Sequence, residues 1–233
     1  MMKQLAGAKP KKTQTMEERL NTLRAGVLGS NDGILTVVGV LFSVAVATPN
    51  RFTIFIAGLS DLLACAFSMA SGEYASVSTQ KDTEKTVVRT EKKRLATNYD
   101  DAMAAVVNHY TDRGVSTETA TKMAAELMAK RPLETVVSVK YDLQLGHYMS
   151  PWNAAFSSLF SAAAGGIFPL AAMTLSPVSI EWPVTILAVC ASVALTGFLS
   201  AKLGDGLVKT AIIRNVIVGI LTMIIHYSVG ILL

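Results

Sequence analysis

Four residues at helical spacing, Asp61, Cys65, Met69 and Glu73, lie in the apolar run IFIAGLSDLLACAFSMASGEYASV. Two carboxylates, a thiol and a thioether stepping by four residues drift only about 40° per step around a helix, so they form one slanted stripe. An ionisable group in a hydrocarbon core costs roughly 3 kcal/mol or more and persists where it faces water, protein or an ion. The stripe therefore reads as a cation path. Oxygen mixed with soft sulfur suits a first-row transition metal better than calcium or magnesium. One more carboxylate, Asp32, sits in the preceding apolar segment beside a G-x-x-x-G pair, Gly29 and Gly33. Such a pair lets another helix approach closely in lipid.

The elements that must hold these groups are membrane helices. The 233 residues are 51% hydrophobic with a mean hydropathy of +0.43, too apolar for a soluble domain. Apolar runs long enough to span a bilayer occur at 25–48, 52–79, 150–175, 182–201 and 209–233. The fold class is all-α integral membrane: five transmembrane helices plus a small cytosolic helical domain inserted between spans 2 and 3. The divisions are a cytosolic N-terminal segment at 1–24, spans 1 and 2 in 25–80, the cytosolic domain at 81–147, and spans 3 to 5 in 148–233.

Lysine and arginine orient this arrangement. Six of the 21 lie in 1–24, eleven in 81–147 and three in 202–214, while only Arg51 follows the first span. By the positive-inside rule the N-terminus and the 81–147 segment face the cytosol. The net charge of +4 and pI near 9.1 then describe a basic inner face beside anionic lipid, and call for no nucleic acid. Cys65 and Cys190 both fall in spans, which argues against a disulfide framework. A secretory signal fits poorly, because the polar leader is long and Asp32 interrupts the apolar run. A bacterial inner membrane is the expected location.

Counting about 1.5 Å per residue from Arg24 and Gln80 puts Glu73 roughly 10 Å deep, Asp32 roughly 12 Å, Met69 roughly 16 Å and Asp61 close to 30 Å. Asp32 is thus expected level with Glu73 and Met69, and Asp61 near the outer mouth. His226 reads as a lone intramembrane histidine hydrogen-bonded to a neighbour, with a proton relay as the alternative.

Residues 1–12 read as disordered, with a short interfacial helix capped by Thr15 and Glu18. No breaker follows Glu73 early, so span 2 is expected to continue into the cytosol as one long helix. In the polar segment three short helices are expected. The apolar stripes are Met103, Val106, Val107 and Tyr110; then Ala120, Met123, Ala124 and Leu127; then Leu133, Val136, Val137 and Tyr141. Asn98, Ser116 and Pro132 mark their starts. The motifs H-E-x-x-H, G-x-S-x-G and the phosphate loop are all missing, so no enzyme is read.

NDGILTVVGV in span 1 and LSDLLACAFSMASGEYASVSTQKD in span 2 resemble the vacuolar iron transporter family, which includes nodulin-like and bacterial members. The similarity extends to FPLAAM in span 3 and RNVIVGI in span 5, and SMA-x-GEY-x-S-V-x-x-Q is its most specific part. The resemblance implies a homodimer with its ion path at the subunit interface. That path would export Fe2+ or Mn2+ from the cytosol against entering protons, with metal as transported substrate and no prosthetic group. It maps the translocation path onto Asp32, Met69, Asp61 and Glu73, with Asp61 replacing the family's usual glutamate.

The family's cytosolic glutamate pattern is eroded. Of E-x2-E-x7-E-x2-E only Glu91 survives, the next positions being Arg94, Ala102 and Ala105; the later Met-Met-x-x-Glu reads Ser138, Val139 and Asp142. Glu91 is then a weak remnant of a metal site, and the cytosolic domain is expected to be structural, since hard cations need several oxygens. The alternative is a membrane-anchored sensor or scaffold that kept the fold without transport.

Overall fold

The computed structural model describes residues 16–232, with side chains from residue 20 onward. The described chain is helical without strands: α1 (Met16–Ala47), α2 (Arg51–Thr97), α3 (Tyr99–Thr111), α4 (Thr117–Lys130), α5 (Pro132–Tyr141), α6 (Pro151–Leu175), α7 (Glu181–Leu203) and α8 (Val208–Leu232). Five of these, α1, α2, α6, α7 and α8, are long and apolar enough to cross a membrane, matching the five expected spans. The chain divides into two compact units. One holds the described residues up to Glu73 together with those from Trp152 onward; the other is Tyr74–Pro151, which contains the polar 81–147 segment.

In the first unit α1 is the central helix. Ile34, Val38 and Phe42 step by four and meet Val189 and Val193 of α7 and Met223 of α8. Val37 and Leu41, one position back, meet Ile54 and Leu62 of α2 and Leu170 and Met173 of α6. Burying two adjacent stripes makes α1 apolar around most of its girth, as an inner helix must be. Packing in lipid relies on small residues, and the G-x-x-x-G pair supplies them. A methyl on Gly29 would stand 2.8 Å from the Ser158 carbonyl oxygen, and one on Gly33 would collide with that of Ala162. Gly165 returns the fit against the Ser30 carbonyl, so the close partner of this seam is α6 of the same chain. The α7–α8 pair uses Gly197 likewise, where a methyl would stand 2.8 Å from the Ala211 carbonyl oxygen.

Arg51 explains its own exception to the charge asymmetry. Its guanidinium donates to the Thr174 and Ser176 carbonyls at 2.7 and 2.6 Å, closing the end of α6, whose last carbonyls have no intrahelical donor. At the other end of the bundle, α7 turns into α8 through Asp205 in the left-handed region (φ 51°), with Gly206 N–H donating to the Ala201 carbonyl at 2.7 Å.

In the second unit Ala102 and Val106 of α3, Ala124 and Met128 of α4, and Val136 of α5 form one core, flanked by Leu95, Met103, Val107, Tyr110 and Val139. Ser116 caps α4 by accepting from Thr119 N–H, Gly114 (φ 88°) makes the preceding break, and Pro132 opens α5. Asn98 stands at the start of α3 without a capping bond; its amide instead donates to Asp101.

Three expectations are corrected. The α4 face is Ala120, Ala124 and Met128, leaving Met123 and Leu127 38% and 37% exposed. Two alanines let neighbouring helices close in, and the flexible methionine fills the remaining gap. Tyr141 is largely exposed, reaching inward only by its hydroxyl. Among the described residues no separate interfacial helix precedes span 1, because α1 runs unbroken from Met16; Thr15 and residues 1–12 lie outside the described residues, as does the Glu18 side chain.

Candidate functional site

On α1 the residues Asp32, Thr36, Gly39 and Ser43 recur at spacings of four, three and four, one face of a 3.6-residue helix. The stripe of α2 meets this face. Cys65 Sγ–H donates to Asp32 Oδ2 at 3.5 Å, joining a thiol and a carboxylate between the two helices. The Thr36 hydroxyl lies close to both Asp61 and Cys65, and Asp61 is within electrostatic range of Asp32 and of His226 on α8. Thr36 completes no hydrogen bond of good geometry to either. Thr36 Oγ1 and Asp61 Oδ2 are buried without a partner among the described residues. Each buried unpaired polar atom costs about 1–3 kcal/mol, so a fold keeps such atoms for a reason.

His226 closes this face toward α8. Its ring lies over Gly39, where a methyl would stand 2.7 Å from Nε2, and Ser43 Oγ approaches Nδ1 at 3.5 Å while donating to the His226 carbonyl at 3.1 Å. Gly39 is therefore the gap that admits the imidazole.

The other predicted residues occupy different settings. Met69 packs with Leu159 and Ala163 around the Cys65, Ala66 and Ala162 cluster, half-buried one turn from Cys65. Glu73 is half-buried one turn further, with no ion pair among the described residues. Asp32 is exposed on the surface of its unit. Its level against α2 differs from expectation: it meets Cys65, two turns from Glu73. Counting from Arg24 and Gln80 misjudged the register of α1 against α2, because both helices run on past those residues and neither fixes it.

Glu91 lies in the second unit, on the part of α2 beyond its apolar run, with its side chain 0% exposed. Its carboxylate accepts from Arg94 Nη1 at 2.9 Å, Lys140 Nζ at 3.3 Å and Tyr141 Oη at 2.9 Å. Burial alone pushes this carboxyl up, but the donors from Tyr141, Lys140 and Arg94 outweigh it and hold it below the usual range. The adjacent carboxylate, with burial second, pushes the Tyr141 phenol up, so it remains a donor. Of the other eroded positions, Ala102 is core and Val139 lies against it, whereas Ser138 and Asp142 are exposed.

The α1 stripe was missed in the sequence beyond Asp32, although the four-three-four spacing of Thr36, Gly39 and Ser43 was available to find it. Among the described residues no three His, Cys, Asp or Glu side chains form a closed metal centre.

Five helices long and apolar enough to cross a membrane describe an integral, multi-pass membrane protein. The VIT family profile matches residues 23–231, and the chain belongs to the VIT family. It is 35% identical over 148 residues to a vacuolar iron transporter of Acanthamoeba castellanii, covering 64% of this chain and 54% of that protein. It is 30% identical to vacuolar iron transporter homolog 2 of Oryza sativa subsp. japonica, covering 91% of this chain and 90% of that one. Vacuolar iron transporter homolog 2.1 of Arabidopsis thaliana is 27% identical over 91% of this chain and 81% of its own length.

Proposed function

We propose that this protein is a secondary transporter that moves a divalent transition metal, Fe2+ or Mn2+, out of the cytosol in exchange for protons. The observation that carries the reading is the junction of α1 and α2, where Asp32 engages Cys65 while Asp61 Oδ2 and Thr36 Oγ1 are buried without a hydrogen bond of good geometry among the described residues. Oxygens held without partners can take a cation in place of its hydration shell, and a nearby thiol and thioether favour a borderline metal over calcium. Asp32, Asp61 and Glu73 alternate between metal-bound and protonated forms, since desolvation favours the neutral acid and a bound cation the carboxylate. Met69 supplies the soft contact one turn inward. The names of the relatives support iron as cargo.

Asp32 is exposed on its unit, and a carboxylate at membrane depth needs cover. A second copy placing its own Asp32 opposite provides it, so the working form is a homodimer with the path at its interface. The 81–147 segment faces the cytosol and is structural, its Glu91 committed to two cations and a phenol rather than to metal.

Reconstitution of the full chain into proteoliposomes tests this reading. Under an imposed pH gradient it should accumulate Fe2+ or Mn2+ uphill, and Asp32→Asn should reduce the rate at least about tenfold, as losing a carboxylate ligand implies. Failure to move either ion, or equal flux through the Asp32→Asn protein, would sink it. The eroded cytosolic site favours a second reading, a scaffold that kept the fold, which predicts no flux together with a stable partner complex. The unpaired oxygens of the path speak against it, because a scaffold gains nothing from their cost.

A further inference from the structure

At the opposite end of α1 from Phe42, a groove of about 560 Å3 opens between α1, α7 and α8. Its lining joins Arg24 of α1 and Arg214 of α8 with the Ser200 and Thr210 hydroxyls, over apolar walls that include Leu23 and Leu207. Both arginines are exposed, and neither has an ion-pair or hydrogen-bond partner among the described residues. Among the described residues no carboxylate lines the groove; Asp205, in the turn beside it, is not part of the lining. Two unpaired guanidinium groups brought together from distant parts of the sequence form a site for an anion. Planar forks of this kind suit phosphate in particular.

We propose that this groove binds the phosphate headgroup of an anionic phospholipid, its acyl chains lying along the leucine walls. The mixed lining decides for a lipid over free phosphate, since leucine and valine side chains give a soluble anion nothing. Both arginines stand near the basic ends of their spans, where anionic headgroups are concentrated. The site shares no residue with the proposed metal path, so its test does not depend on transport.

Binding is measured on the purified full chain by thermal shift and native mass spectrometry, with phosphatidylglycerol, phosphatidylcholine and inorganic phosphate as probes. Phosphatidylglycerol should raise the melting temperature and remain bound, and the other two should do neither. Affinity for it should fall about fivefold in Arg24→Gln or Arg214→Gln and about thirtyfold in the double variant. Lys209→Gln, a basic change on α8 outside the lining, should leave it within about twofold. The pair Arg24→Lys and Arg214→Lys keeps the charge and guards against misfolding of the glutamine variants; it should bind more weakly than the native chain, having lost both forks. Equal binding of phosphatidylcholine, displacement by millimolar phosphate, or a loss in Lys209→Gln as large as in the arginine variants overturns the proposal.

Discussion

Glu91 is a buried carboxylate held by three donors, from Arg94, Lys140 and Tyr141. Its carboxyl is fully buried, but Lys140 is 28% and Arg94 60% exposed, so solvent screens part of the attraction. Replacing it with glutamine should therefore destabilise the second unit by about 2 kcal/mol, the scale of charge-assisted hydrogen bonds, rather than the larger loss of a fully buried pair. Because its folded pKa is depressed, Glu91 contributes stability fully above the ordinary value of 4.5, and loses it as pH falls through the lowered one. Melting of the full chain as a function of pH should show a fall below about pH 5 that Glu91→Gln flattens. An unchanged profile would mean that other carboxylates govern acid unfolding. The erosion of the metal pattern at Arg94 and Ala102 was legible in the sequence; the salt bridge from Lys140 was not, because its partners lie 49 residues apart. At the path, the α2 stripe was legible from its spacing. That Cys65, and not Met69 or Glu73, meets Asp32 depends on how far each helix slides along the other, and no residue encodes that alone.

Helices in this protein are placed by what their glycines allow. G-x-x-x-G at Gly29 and Gly33 announced a close seam, but the identity of its partner, α6, came from complementary small residues in a distant segment. At Gly33 the obstacle to a methyl group is the Ala162 backbone, which cannot rotate aside as a side chain can. Gly33→Ala should therefore cost about 1–3 kcal/mol, the usual penalty of overpacking. A methyl group on Gly72 in α2 would meet nothing within 4 Å, and Gly72→Ala should be neutral or stabilise by about 0.5–1 kcal/mol through helix propensity. Thermal unfolding of the two variants in the same detergent checks both, and a seam that mattered less than helix propensity would rank them together. Gly39→Ala is an intermediate case, since the displaced group is the His226 ring. It should lower metal flux more than stability if the imidazole's position beside the α1 stripe matters to transport.

For the molecule as a whole, charge and hydropathy made the five spans legible, while the membrane levels were not. Apolar runs have a length threshold, but α1 and α2 continue as regular helices past it. What does mark the two sides is the distribution of arginine and lysine. The proposed cytosolic side holds the basic blocks, whereas the other side has Arg51, whose charge is already committed to the carbonyls ending α6. A cation tied to a helix C-terminus interacts favourably with that end of the helix dipole, so Arg51 carries structural rather than topological weight. Two outcomes follow. Arg51→Gln should destabilise the bundle by about 1.5–3 kcal/mol, the range for hydrogen bonds to a charged group, without inverting the protein. Single cysteines introduced at Thr48 and Ser116, in a chain whose Cys65 and Cys190 are replaced by serine, should react with an impermeant maleimide from opposite sides. Ser116→Cys should label only from the cytosolic face and Thr48→Cys only from the other. Both labels should keep that pattern in the Arg51→Gln background, because twenty of the 21 basic residues still set the orientation. A mixed pattern there would show that a single capped arginine, and not the basic blocks, decides which way the chain inserts.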